Sequence, residues 1–181
     1  MSGYGRFDDP YCHKDTGVLR NLKDIRTADA LEAYEVAATK LRAGEKSPAG
    51  KFDPAHYRAI HRHLFQDVYD WAGQYRTIRI AKGSSMFCFP EHIAGQLDEV
   101  FTALRHPPFA GSASRDEFVP AAARFLGDLN AIHPFREGNG RTQLTFLYLL
   151  GARAGIGLDM TRIKPQAMLS AMIASFVSMA V

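Results

Sequence analysis

The chain has 181 residues, the length of one domain with a sizeable buried core. With 46% hydrophobic and 23% charged residues it has the composition of an ordinary globular protein, and a formal charge of +3 without a dense Lys/Arg run argues against nucleic acid as a partner. Cys12 and Cys88 lack metal-ligand spacing, the segment Met1–Arg6 lacks a signal-peptide core, and no apolar run is long enough to span a membrane, so reduced thiols in a cytoplasmic setting are expected, with no membrane partner.

Residues 1–14 are polar and read as a loosely held N-terminus. Thr27 is placed to cap a helix whose Ala30, Leu31, Tyr34, Ala37, Ala38 and Leu41 recur at helical spacing. Gly44 to Gly50 is a linker by composition, and Asp53-Pro54 then supplies an N-cap followed by proline at the first helical position. That helix carries Tyr57, Ile60, Leu64 and Val68 on one face and is expected to run to about Trp71. His56, His61 and His63 lie along it without the spacing and acidic neighbour of a zinc helix, and read as solvated or capping residues.

From Gly73 the period changes. Tyr75 to Ala81 alternates as a strand does, and Lys82-Gly83-Ser84-Ser85 is turn chemistry before Met86–Phe89, which together predict a β-hairpin. A helix over about Pro90–Arg105 follows, with Ile93, Leu97, Val100, Phe101 and Leu104 as its stripe. Ser114-Arg115-Asp116-Glu117 is a capping box opening the next helix, with Pro120 expected to kink or loosen its second turn. Gly155-Ile156-Gly157 breaks the chain later on. A last helix from about Lys164-Pro165 carries Met168, Leu169, Met172, Ile173, Phe176 and Val177; it meets no capping residue at Val181, which reads as a domain excised from a longer protein.

Between the capping-box helix and an apolar helix running from Leu144 through Phe146, Leu147, Leu149 and Leu150 lies His133-Pro134-Phe135-Arg136-Glu137-Gly138-Asn139-Gly140-Arg141. Pro134 and the Gly-Asn-Gly run predict a short loop between two helices, the second beginning near Gly138 to Arg141 with its free N–H groups aimed back at the loop. Such an N-terminus attracts anions. His133 has the pKa range of a general base, Glu137 suits Mg²⁺, and Arg141 has the fork that clamps phosphate oxygens. Residue chemistry alone leaves two readings open: a phosphoryl-transfer site, or a helical corner with glycine caps and solvated charges.

His-Pro-Phe-x-Glu-Gly-Asn-Gly-Arg resembles the signature of the Fic family, His-Pro-Phe-x-(Asp/Glu)-Gly-Asn-(Gly/Lys)-Arg-x-x-Arg, and the resemblance extends from about Asp15 to the C-terminus. Asp15 to Asn21 is similar to the opening segment of many Fic toxins and effectors. The resemblance implies an all-α Fic fold over residues 15–181, with six to seven helices around the motif helix and a small β-hairpin flap. It implies transfer of AMP from ATP to a Tyr, Thr or Ser hydroxyl of a target protein, with pyrophosphate leaving. His133 would be the base and Glu137 the ligand of Mg²⁺ or Mn²⁺. Gly138, Asn139 and Gly140, with the Asn139 amide, would cradle the phosphates, and Arg141 would neutralise the departing pyrophosphate. Pro134 and Phe135 would shape and anchor the loop, with no catalytic role for Arg136. The flap segment Thr77, Ile78, Arg79, Ile80 and Ala81 would bind the target as an added strand.

One departure stands out: Leu144 occupies the position of the motif's final arginine, which contacts the γ-phosphate in the family and pairs with a regulatory glutamate. It keeps two alternatives alive, transfer of another phosphate-containing group (UMP, phosphocholine or phosphate) and a catalytically weak target-binding module. The family's inhibitory (Ser/Thr)-x-x-x-Glu-(Gly/Asn) motif is absent, since no Ser or Thr here is followed by Glu four residues on. A separate small antitoxin-like protein acting in trans is therefore the expected regulator. The setting would be the bacterial cytoplasm, or a host cell if the protein is a secreted effector.

Overall fold

In a computed structural model of the chain, the structure describes residues 9–82 and 85–164, together with 167, 170 and 171. Five α-helices occur among these residues: α1 (Ala28–Ala43), α2 (Pro54–Phe65), α3 (Ile93–Thr102), α4 (Arg115–Ile132) and α5 (Asn139–Arg153). The expected last helix falls outside the described residues apart from Ala167, Ser170 and Ala171. Helix α2 is central, packing on α1, α3 and α5, while α4 lies against both α3 and α5.

The caps explain most of the boundaries. The Asp53 side chain accepts the His56 N–H at 2.8 Å and starts α2, with Pro54 in its first turn. Ser114 and Glu117 close the capping box of α4 reciprocally. That helix runs unbroken through Pro120, where the lost bond would have gone to Asp116 in the exposed first turn. Thr27 occupies the N-cap position of α1 but makes no side-chain cap. Helix α2 stops at Phe65 rather than near Trp71, because the chain turns so that the N–H groups of Val68 and Tyr69 both return to the Phe65 carbonyl. Val68, Tyr69 and Trp71 are buried by that turn.

Phe146 of α5 lies at the centre of the core, with the rings of Phe52, His56, Tyr57, Phe101 and Phe125 around it at centroid separations of 5.4–6.0 Å. Phe135, from the loop between α4 and α5, is fully buried beside it and stacks on His61 with centroids 3.8 Å apart. The loop is therefore seated in the core by its third residue, as expected for Phe135.

The expected hairpin is short. Strands β1 (Ala81–Lys82) and β2 (Ser85–Met86) pair antiparallel, with Ala81 opposite Met86 and Lys82 opposite Ser85, and Phe87 N–H continues the pairing to the Ile80 carbonyl at 3.2 Å. Residues 75–79 keep the predicted alternation of buried and exposed side chains yet join no ladder. Their backbone is held by Arg76 instead. This arginine is 2% exposed, and its fork donates to the carbonyls of Ile78 (2.6 Å), His133 (2.8 Å), Ile132 (3.1 Å) and Cys88, while its own N–H meets the Pro134 carbonyl at 2.9 Å. One guanidinium thus joins both stems of the hairpin to the end of α4.

The segment 1–14 is not uniformly loose, since its described part is tied down. Asp9 forms an ion pair with Arg136 at 2.7 Å, both side chains being largely buried, and the Tyr11 hydroxyl accepts the Thr77 N–H at 3.1 Å. Cys12 forms an isolated bridge with Leu19.

Replacing Arg76 by Met should destabilise the protein by more than about 3 kcal/mol, because several buried carbonyls lose a charged donor together. Arg76→Lys should recover little, as one ammonium cannot span the same carbonyls. Urea unfolding followed by circular dichroism checks both.

Candidate active site

His133 is the C-cap of α4, and its backbone is left-handed, with φ 48° and ψ 62°. A non-glycine residue held there is strained and needs support from its surroundings. The support is visible: its N–H bonds the Leu129 carbonyl at 2.9 Å, its own carbonyl takes Arg76, and its imidazole stacks on Phe87 at 4.0 Å. Phe87 comes from the segment just after the hairpin, so the flap side helps to orient the expected base.

The loop is then closed by Asn139. Its side-chain oxygen accepts the Phe135 N–H at 3.0 Å and its amide nitrogen donates to the Phe135 carbonyl at 2.8 Å. The amide oxygen and one of the two amide N–H groups are thus taken by Phe135, which leaves the second N–H and the backbone N–H for an anion. Gly138 caps α5 with φ 82°, and a Cβ there would stand 2.3 Å from the Phe65 ring. The residue must be glycine for its conformation and its packing. Gly140 differs, since a Cβ there would meet open space. That opening lies at the first turn of α5, where unbonded N–H groups gather.

Glu137 lies beside this turn. Its Oε1 accepts the Gly138 N–H at 2.9 Å, and its carboxyl is pushed above the usual carboxylate range by burial first and by the charge of Glu35 next. No group of three His, Cys, Asp or Glu side chains suited to a metal occurs among the described residues. A single carboxylate fits a hard cation only where phosphate oxygens and water complete the shell.

Arg141 does not project freely. Its Nη2 donates to Glu35, its Nη1 donates to Thr39 Oγ1 at 3.2 Å, and the guanidinium carbon lies 4.7 Å from the centre of the Phe65 ring. Glu35 is 8% exposed and its other oxygen accepts the Tyr69 hydroxyl. Leu144, one turn beyond Arg141, is partly exposed and belongs neither to the described core nor to the layer packed on it.

Of the expected flap residues, the Thr77 N–H goes to Tyr11, the Ile78 carbonyl to Arg76 and the Ile80 carbonyl to Phe87. The Arg79 side chain extends outward, 3.7 Å from Glu91 and over the Phe89 ring, and Ala81 belongs to β1.

The three histidines of α2 are held by backbone groups rather than solvated. His56 lies between the Phe52 N–H (3.3 Å) and the Pro48 carbonyl (2.8 Å), and His63 meets the Arg42 carbonyl at 2.8 Å. His61 is fully buried: its Nδ1 accepts the Gly73 N–H at 2.8 Å, so its Nε2 carries the proton and donates to the Glu137 carbonyl at 3.0 Å. It supports the motif loop from below, and burial pushes its pKa down to about 3.

Residues 51–150 match the model of the Fic/DOC family. A probable protein adenylyltransferase of Sinorhizobium fredii is 47% identical over 177 residues, covering 97% of this chain and 92% of that relative. The protein adenylyltransferase VbhT of Bartonella schoenbuchensis is 38% identical over 97% of this chain, which spans 37% of VbhT. Among solved structures, the N-terminal Fic domain of a putative cell filamentation protein from Bartonella quintana with bound ADP superimposes with a TM-score of 0.83 at 30% identity, covering 92% of this chain and 86% of that one.

His61→Phe should keep the ring stack and remove both polar links. The unfolded chain binds a proton near pH 6.5 that the folded imidazole refuses until about 3. The contribution of His61 to stability is therefore complete above about 6.5 and falls as the pH is lowered, by at most about 1.4 kcal/mol per pH unit. Glu137, shifted upward, acts in the opposite sense, so the difference between wild type and His61→Phe isolates the histidine. Denaturant midpoints from pH 7 to 4 should converge for the two proteins as the pH drops.

Proposed function

The chain belongs to the Fic/DOC family, and from that premise we propose that it is a protein adenylyltransferase, moving AMP from ATP onto a Tyr, Thr or Ser hydroxyl of another protein and releasing pyrophosphate. The observation that carries the reading is a strained, supported His133 at one end of a loop whose other end opens a helix N-terminus beside Glu137 and Arg141. The loop brings a base, a phosphate cradle and a cation together on one rigid turn.

In this reading His133 accepts the proton of the incoming hydroxyl. Its ring plane is set by Phe87 and its position by Leu129 and Arg76, so a target registered along the hairpin meets a base already oriented. The N–H groups at the first turn of α5 bind phosphate oxygens, with Gly140 leaving room for their approach. Arg141 offsets the charge that develops on the departing pyrophosphate. Glu137 would hold Mg²⁺ or Mn²⁺, and such a cation would supply charge neutralisation for the phosphates. Asn139 closes the loop and Phe135 seats it.

The target is taken up as an extended segment beside Arg79, Ile80 and Ala81, the start of the flap at Thr77 and Ile78 being held by the protein itself. Activity is restrained by a small antitoxin-like protein in trans, and the protein works as a toxin or effector with residues 15–181 as its Fic domain. Among the described residues no helix is long and apolar enough to cross a membrane.

Incubation of the protein with α-labelled ATP and a cell lysate should label a discrete protein band. His133→Ala should abolish the label while leaving ATP binding, measured by calorimetry, largely intact. Glu137→Ala, or excess EDTA, should also abolish it. Labelling that persists in His133→Ala would remove the histidine from the mechanism, and transfer from labelled UTP or CDP-choline in place of ATP would replace AMP as the group moved.

Leu144 has no donor for a terminal phosphate, and its place outside the core leaves room for one that has. Leu144→Arg should tighten ATP binding about ten- to a hundredfold, the worth of a charge-assisted contact, while ADP binding moves little. Calorimetric titration of both nucleotides, with a melting curve for each protein, tests this; equal ATP/ADP ratios in two folded proteins would exclude it.

A further inference from the structure

Arg141 is held from behind. A buried carboxylate and a hydroxyl come from α1, more than a hundred residues away, and a ring face comes from Phe65 at the end of α2. Glu35 accepts from Arg141 through one oxygen and from the Tyr69 hydroxyl through the other. Tyr69 is in turn fixed by stacking on Trp71, with centroids 4.2 Å apart. Two of the five N–H groups of the guanidinium are taken by Glu35 and Thr39, which leaves three. Its plane is set by the Phe65 ring, the same ring that abuts Gly138 at the start of α5. Long arginine side chains lose considerable rotamer freedom on binding an anion, and one already immobilised loses less.

We propose that Glu35 is a positioning residue for the transfer reaction: with Tyr69 and Thr39 it fixes the distal edge of Arg141, so that the remaining N–H groups face the phosphates at the first turn of α5. Glu35 touches neither nucleotide nor target in this arrangement and acts through Arg141. It also keeps the guanidinium from turning to the carboxylate nearer in sequence, Glu137, which must stay available to a cation. The inference rests on the adenylyltransferase reading for its kinetic consequences but not for the orientation of Arg141 itself.

The test is a double-mutant cycle with an independent structural readout. Glu35→Gln preserves shape and an acceptor oxygen but removes the charge, and Tyr69→Phe preserves the aromatic stack but frees one Glu35 oxygen. With ATP and a labelled target, kcat should fall about tenfold or more in Glu35→Gln and less in Tyr69→Phe, with KM for ATP changing under threefold, as expected for lost alignment. Glu35→Asp should recover part of the loss. Glu35→Gln placed in an Arg141→Ala background should have no further effect on kcat, because the group it positions is gone. An equal loss in both backgrounds, or a rise in kcat in Glu35→Gln, would overturn the proposal. The Arg141 Nε–H resonance in ¹⁵N-labelled protein, with and without inorganic pyrophosphate, should be sharp and shifted by pyrophosphate in wild type and broadened in Glu35→Gln. That measurement needs no transfer: an ordered Arg141 in a protein without labelling activity leaves Glu35 in place and removes the adenylyltransferase reading, whereas an equally sharp resonance in Glu35→Gln removes Glu35.

Discussion

A guanidinium buried among carbonyl oxygens holds the site together. Carbonyls at the end of a helix have no partner within it, and buried ones must find a donor elsewhere. At the end of α4 the carbonyls of Ile132 and His133 find Arg76, and the same fork reaches Ile78 and Cys88 on the two stems of the hairpin. The left-handed turn at His133 is thus held by contacts that also place the flap. His133 and the hairpin share one anchor, so neither can shift without the other.

Charge is arranged with equal economy in the opposite half of the loop. Two carboxylates, Glu35 and Glu137, lie close enough for the first to raise the pKa of the second, and Arg141 alone does not neutralise both. Glu35 takes the arginine, and Glu137 is left with the Gly138 N–H and a carboxyl whose ionised form is disfavoured by burial. At the Glu137 carboxyl, burial and Glu35 therefore outweigh the Gly138 N–H and the charges of Arg141 and Arg136.

The layout of the loop was legible because its residues are contiguous: His133 ends α4, Gly138 caps α5, Gly140 and Arg141 lie in its first turn, and Phe135 is buried as expected. What supports them was not, because it arrives from distant stretches. Arg76 had a readable signal. It shares the even-numbered face of an alternating run with Ile78 and Ile80, an unusual place for a cation, and the alternation correctly gave faces but not ladder pairing. Glu35 was masked by an α1 stripe drawn through Leu41, which is 75% exposed; the face that is buried runs through Leu31, Glu35, Ala38 and Thr39. His61 sits on the same side of α2 as Tyr57, Ile60 and Leu64, and a polar ring on an apolar face signals a backbone partner rather than solvent. The tie from the Asn139 amide to Phe135 was missed for a simpler reason, as a side chain four residues away can close the turn on itself.

Arg136 occupies the one position of the motif that chemistry leaves open, yet its side chain is buried against Asp9 at the far end of the sequence. Changing either member alone strands a charge in a poorly hydrated place, which is far costlier than exchanging both. Among descendants of this sequence, positions 9 and 136 are therefore expected to drift as a pair or not at all. An apparently permissive site in the signature would carry the memory of a residue that no local alignment of the motif displays.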